Sequence, residues 1–503
     1  MERRLHCFKD VEAHPDLELA RLNGLARISA AMTKHLLFFS AISLTGLSAT
    51  AADGWWPQFR GPNGSGVSES ARPPKEFGPG TNQLWKVTVP SGASSPCVWN
   101  DRIYLTVFDD GRLETHCYQR RDGKLLWKAD AKAKHIEDYL AREGSPAAST
   151  PATDGKHVVS YFGSCGLVCY DANGKELWRY QQPTVQSAGS FGSGGSPVIV
   201  DGLAIASRDD VGGCSLLAVD VKTGKKVWEV TRTDVSPGFG TPIFWMNNGA
   251  KEVVMPGSLK LKAYDLKSGE ERWSLAGMPS FTCTTPVIGK EMLYFAGWAP
   301  GKEAGTGPSW DMAKPGDSDN DGALTMEEAK AIQLDGFFKG LDVNKDGKLT
   351  PEDFDIMTRT MAKGENVLVA VKPGGKGTLG EGQVAWKQTR GLPYVPSPLF
   401  YQDRVYLVRD GGIASCFDAE SGKPYYQQER IDAIGSYYAS PVAADGRIFM
   451  TSLNGRMTVL EAGGDSPKIL HQVDFGERIA ATPALVDNAM YVRTATALYA
   501  FGK

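Results

Sequence analysis

The stretch Ala218-Val219-Asp220-Val221-Lys222-Thr223-Gly224-Lys225-Lys226-Val227-Trp228 decides the fold, because its pattern returns along the chain. Cys169-Tyr170-Asp171 leads through Gly174 to Trp178, and Ala263-Tyr264-Asp265 leads through Gly269 to Trp273. Cys416-Phe417-Asp418 leads through Gly422 to Tyr426, where another aromatic takes the place of tryptophan. The step from Gly to Trp recurs at 123 to 127 and at 382 to 386. Each piece has a local cause. An alternating run ends in Asp, whose side chain bonds nearby backbone, and Gly supplies the positive φ of the turn. A second strand then returns carrying the Trp.

Outward from this turn, a Ser-Pro or Thr-Pro dipeptide opens every unit. The prolines are Pro96, Pro151, Pro197, Pro242, Pro286, Pro398, Pro441 and Pro483, separated by 55, 46, 45, 44, 112, 43 and 42 residues. A period of about 40–45 residues is that of a propeller blade, which cannot bury its apolar face alone. Proline suits a strand start, where no ladder N–H is lost. Each unit reads as four strands, the blade of a propeller. Eight prolines open eight units, but the last reaches only its third strand, Leu498-Tyr499-Ala500-Phe501. Its missing fourth strand is expected at the other end, in 83–88, where Gln83-Leu84-Trp85-Lys86-Val87 precedes the first Pro. That pairing would shut the ring and remove open sheet edges. The predicted fold is all-β: an eight-bladed β-propeller of four-stranded blades, with a small α-helical pair inserted in one blade.

The insertion accounts for the interval of 112 and lies between Trp298 and Asn366. Asp317-Ser318-Asp319-Asn320-Asp321-Gly322-Ala323-Leu324-Thr325-Met326-Glu327-Glu328 fits the EF-hand calcium loop at every liganding position. The expected ligands are Asp317, Asp319, Asp321, the Ala323 carbonyl, Thr325 and Glu328, with Gly322 at the sharp turn. A second loop would use Asp342, Asn344, Asp346, the Lys348 carbonyl, Thr350 and Asp353. It ends in Asp where the first has Glu, so the shorter side chain makes it the weaker calcium site. Residues 311–363 hold 12 acidic and 7 basic side chains, which two divalent ions would offset. Lys314-Pro315-Gly316 argues against an entering helix. The loop starts are 25 apart, so one helix is expected to leave the first loop and enter the second.

The remaining bulk features set bounds. The 503 residues are 22% charged and 42% hydrophobic, which suits a folded chain. A net charge of −3 gives no attraction to nucleic acid or anionic lipid. Met32-Thr33-Lys34-His35, the apolar run Leu36 to Leu47 and Ala49-Thr50-Ala51 together read as a secretory signal peptide. The acidic stretch before it fits no leader, so the true start is placed at Met32. This gives an exported product, periplasmic or extracellular, with no transmembrane anchor after cleavage. The resulting division is 1–52 leader and signal peptide, 53–82 extension, 83–300 first part of the propeller, 301–364 EF-hand pair, and 365–503 second part.

Cys117, Cys169 and Cys416 fall where other repeats carry Ala218 and Ala263, so the cysteines are read as small core residues. Gly375-Lys376-Gly377-Thr378-Leu379-Gly380 spells a phosphate-loop pattern, but a blade strand follows it where a helix is required. Gly192-Ser193-Gly194-Gly195 is read as another loop before a strand. The first interval is about ten longer than its neighbours. Its extra residues, His135-Ile136-Glu137-Asp138-Tyr139-Leu140-Ala141-Arg142-Glu143, form a helix-prone polar stretch read mainly as a solvated excursion, with a cap on the channel or a supplier of an acid as the alternative.

The A-x-D-x-x-x-G-K-x-x-W signature resembles the tryptophan-docking repeat of the pyrroloquinoline-quinone-like (PQQ-like) propeller family, over essentially all of 83–503 outside the insertion. Trp56-Pro57-Gln58-Phe59-Arg60-Gly61-Pro62 resembles the start of exported bacterial members. The resemblance implies either a quinoprotein dehydrogenase acting on an alcohol or sugar, or a non-catalytic scaffold. The adjacent cysteine pair of many such dehydrogenases is absent, and no Glu, Asn and Asp trio matches the family's metal site. The favoured expectation is a calcium-binding propeller acting as a binding or assembly scaffold, with a protein or extracellular ligand on one face. PQQ as a cofactor is not favoured, and no catalytic or cofactor-binding residue is assigned.

Overall fold

The structure, a computed structural model, describes residues 54–301 and 308–503. The expected signal peptide lies outside the described residues. No helix among the described residues is long and apolar enough to cross a membrane.

Eight antiparallel sheets of four main strands follow one another around the ring. Blade three is representative. Its strands Val198–Val200, Leu203–Asp210, Gly213–Asp220 and Lys226–Thr231 run in sequence order from the axis outward. Blade eight joins Ala484–Val486, Ala489–Arg493 and Ala497–Gly502 to Gln83–Thr88, with Trp85 opposite Ala500 and Val87 opposite Leu498. The ring is thus closed by its own first long strand.

Tryptophan docking joins the blades. The indole N–H of Trp178 donates to the Val221 carbonyl at 2.7 Å, and that of Trp228 to Leu266 at 3.0 Å. Trp85, Trp127 and Trp386 reach Arg120, Ala172 and Ala419 of their next blades in the same way. The turn glycine of the receiving blade lies flat on the ring. Gly224 has φ +68°, and a Cβ there would stand 2.6 Å from Trp178 Cδ2. Two requirements, left-handed backbone and absence of a side chain, therefore meet at one residue. The junction of blades four and five departs from the rule. Trp273 donates to Glu252 within its own blade, Trp245 makes the crossing bond to the Glu291 carbonyl, and Gly382 docks on nothing.

The seven described cysteines are free, and all but Cys283 are buried; burial pushes the Cys169 thiol up to about 12. Cys117, Cys169 and Cys416 are core residues, as their alignment with alanines required.

The insertion leaves blade five between Met292–Gly297 and Val367–Val371, where Ala299 and Asn366 exchange two hydrogen bonds at its neck. It contains α1 (Trp310–Ala313), α2 (Met326–Ala331), α3 (Asp335–Leu341) and α4 (Pro351–Met361). Two expectations are corrected here. One helical turn and a 3-10 turn (Lys314–Gly316) do enter the first loop, because Pro315 sits in a first turn where its missing N–H costs nothing. The shared helix is broken into α2 and α3, with Gln333 in left-handed backbone between them.

Candidate functional site

The central axis has two levels. At the lower one, the Ser or Thr before each blade's opening proline accepts a hydrogen bond from the corresponding residue of the preceding blade. Ser95 N–H donates to Thr150 Oγ1 at 2.9 Å, Thr150 to Ser196 at 3.0 Å, and Ser196 to Thr241 at 3.1 Å. The series continues through Thr285, Ser397, Ser440 and Thr482, and Thr482 N–H returns to Ser95 at 2.9 Å. Eight buried hydroxyls thus form one closed belt. The sequence displayed every one of these residues, yet the reading gave a role only to the prolines. The signal was the invariable hydroxyl before them.

The segment after Trp55–Trp56 stoppers one end of the channel. Trp56 pairs with Val98 of blade one, Asn63 exchanges two bonds with Phe244 of blade four, and Arg60 donates to the Pro398 carbonyl of blade six. Arg60 is fully buried, and burial lowers its guanidinium to about 9.

Between stopper and rim lies a cavity of about 320 Å³ whose lining includes Phe59 and the whole hydroxyl belt. Its wall is lopsided. Phe191, Phe239, Phe281, Tyr394 and Tyr438 line it from five consecutive blades, while the rest of the circle is mostly small residues such as Gly92, Ala93, Ala148 and Ala481. The aromatics pack edge to face, Phe191 with Phe239 at 6.2 Å and Phe239 with Phe281 at 5.3 Å between centroids.

The stretch 135–143 corrects its sequence reading. It forms no helix and is solvated only on one side: His135, Asp138, Leu140, Ala141 and Arg142 are exposed, while Glu137 is buried and Ala141 and Glu143 line the cavity. The Leu140 N–H donates to the Ser190 carbonyl, Tyr139 bridges to Phe191, and Glu143 receives the Tyr438 hydroxyl at 2.6 Å. That bond holds the Glu143 carboxyl below its usual range. Glu137 is 2% exposed; Ser193 donates to its Oε1 from backbone and hydroxyl, and its Oε2 has no partner. Burial outweighs those two bonds and raises its carboxyl to about 7. Sequence reasoning offered a cap here only as the lesser alternative, because its contacts join residues from 27 to 295 apart.

The inserted loops have the geometry of a matched pair. Leu324 and Leu349 exchange backbone bonds at 2.8 and 2.9 Å, and both are fully buried. Oxygens of Asp317, Asp319 and Asp321 lie within 4.8 Å of one another. The N–H groups of Asp321 and Gly322 donate to Asp317, as those of Asp346 and Gly347 donate to Asp342. Glu328 stands outside the group of three. Its Oε1 takes the Ser318 N–H and hydroxyl, and its Oε2 those of Thr325, which lowers its carboxyl to about 2. Asp353 caps α4 likewise through Thr350, and Asn344 donates to Asp346 at 2.8 Å. Lys348 reaches across to Asp321 at 2.8 Å. The Ala323 backbone N–H is held by Asp321 Oδ1.

Residues 114–280 match a protein-family model described as outer membrane protein assembly factor BamB. No curated protein sequence matches the chain. BamB from Moraxella catarrhalis is similar in fold at 12% identity and a TM-score of 0.52, over 84% of this chain and 99% of that one. Quinohemoprotein alcohol dehydrogenase from Comamonas testosteroni is similar at 13% identity and 0.55, over 90% and 81%. A europium-containing methanol dehydrogenase gives 11% and 0.54, over 90% and 98%. The chain is a propeller of PQQ-like repeats, and its structural neighbours include an assembly factor and dehydrogenases alike.

Proposed function

We propose that this chain is an exported, calcium-binding propeller that works as a non-catalytic scaffold, taking a protein partner or extracellular ligand at the aromatic side of its central cavity. The carrying observation is the chemistry of the cavity lining. Glu143 is its one carboxylate and is already engaged by Tyr438 and Arg142, and no Asp or Asn stands among the lining residues. A hard divalent ion wants six or more oxygen ligands, so this lining does not fit a metal-held quinone. Its single cysteine, Cys283, has no neighbour to pair with among the lining residues. The aromatic half-circle suits instead a partner that offers apolar or ring surface.

Calcium belongs to the inserted loops, where Asp317, Asp319 and Asp321 already face one another. Bidentate capture would take Glu328 away from the Ser318 and Thr325 hydroxyls it now holds. Lys348 would give up Asp321. Extracellular sites of this kind bind at about 10⁻⁴–10⁻³ M.

Reconstitution with pyrroloquinoline quinone and calcium tests the scaffold reading. No bound chromophore in difference absorbance and no dye-linked alcohol oxidation are expected; a chromophore with turnover would replace the reading with a dehydrogenase. Calorimetry tests the metal, with two sites expected and the Asp342–Asp353 loop the weaker. Absence of calcium heat would remove that half of the proposal.

A further inference from the structure

We infer that calcium held by the inserted loops is felt at the central cavity through the seat of α3 on 188–191, above all the packing of Phe337 on Phe191; this rests on the calcium reading above. The two faces of α3 make the link. Its inner face buries Phe338 and Leu341 in the same small core as Leu324 and Leu349, the paired residues of the two loops. Its C-terminal end runs directly into Asp342, the first ligand position of the second loop. Its outer face lies on 188–190. There the Phe337 ring meets Phe191 edge to face at 5.7 Å. Gly336 lies so close that a Cβ would stand 2.9 Å from the Ser190 hydroxyl and 3.1 Å from Gly189 backbone.

The segment under α3 is itself part of the cavity. Phe191, Gly192, Ser193 and Gly194 line it. On its other side, 188–194 is held by the 137–144 stretch through Leu140, Tyr139 and the Glu137 carboxylate. It is therefore clamped between the ring's own cap and the metal clip. Without an ion, the carboxylates of each loop are held only by backbone N–H groups and neighbouring side chains, Lys348 among them, and α3 is less firmly fixed. With an ion, the loop ends are drawn in and α3 is pressed onto the rim. A ligand moves such an equilibrium only through a difference in how it meets the two states; here the difference is whether Phe337 is held against Phe191.

Hydrogen exchange on the full chain, with calcium and with chelator, tests the coupling. Calcium is expected to slow amide exchange across 186–193 by at least about 5-fold, the low end of ordinary coupling between sites. Phe337→Ala should keep its calorimetric calcium uptake and lose that response. If Phe337→Ala disturbs uptake, Phe191→Ala carries the test from the other side of the contact. Uptake in the native chain with no change at 186–193 overturns the coupling alone, as does a response that persists in both variants. No uptake at all overturns the calcium reading and the coupling together.

Discussion

The hydroxyl belt and the aromatic rim surround the same axis, yet they obey opposite rules. The belt repeats in all eight blades without exception, since each member satisfies its neighbour's buried N–H and one gap would leave a donor orphaned. The rim repeats nowhere, with aromatics on five blades and mostly small residues on the others. What closure demands is uniform. What closure leaves free is the composition of the rim.

The contrast can be broken or sharpened by substitution. Trp178→Ala removes a buried docking ring and should cost about 3–5 kcal/mol in chemical denaturation. Phe239→Ala deletes an aromatic beside an existing cavity, so a loss of only about 1 kcal/mol is expected. Equal losses would erase the distinction between the repeated and unrepeated levels.

Glu137 gives the next effect, with its sign fixed by burial. Its carboxyl rises from 4.5 unfolded to about 7 folded. Between those values the folded chain holds a proton that the unfolded chain has released. Stability therefore falls as pH climbs through that window, by about 3 kcal/mol in all, and levels off above it. Denaturation of Glu137→Gln across pH 4.5–8 should lack that slope. A slope unchanged from the native chain would show that the cap is not held by a buried carboxyl.

In the belt, Thr241→Val keeps shape and removes the acceptor of the Ser196 N–H, for an expected loss of about 1–3 kcal/mol. Calcium should make a small difference. At tenfold over its dissociation constant it adds about 1.4 kcal/mol to the unfolding of whatever cooperates with the clip, read as a calcium-dependent shift in melting.

Blade number and ring closure were legible because they rest on local chemistry repeated many times: Asp and Gly at the turn, Trp four residues on, Pro at the strand start. The two inserted loops could be read for the same reason, each pattern being contained in twelve residues; their use as calcium ligands belongs to the proposal. The break at Gln333 was less so, since loop starts 25 apart suggest one connecting helix and say nothing of how its turns end. Glu137 ran against the favoured reading. Its row of charged neighbours looks solvated, and only Ser193 and Ser164, brought from blade two and beyond, bury it. Gly382 misled in a smaller way, keeping the spacing to Trp386 without docking on any ring.

The pairing of Gln83–Thr88 with Ala497–Gly502 has a temporal side. The ribosome must add roughly 400 residues before the partner of that early strand exists, so the circle stays unsealed until then. Bringing together segments some 400 positions apart is entropically tolerable, each doubling of the span adding only about 0.6 kcal/mol. The exposed flank of the waiting strand is the greater hazard. Shielding it until the tail arrives would fall to whatever escorts the nascent chain.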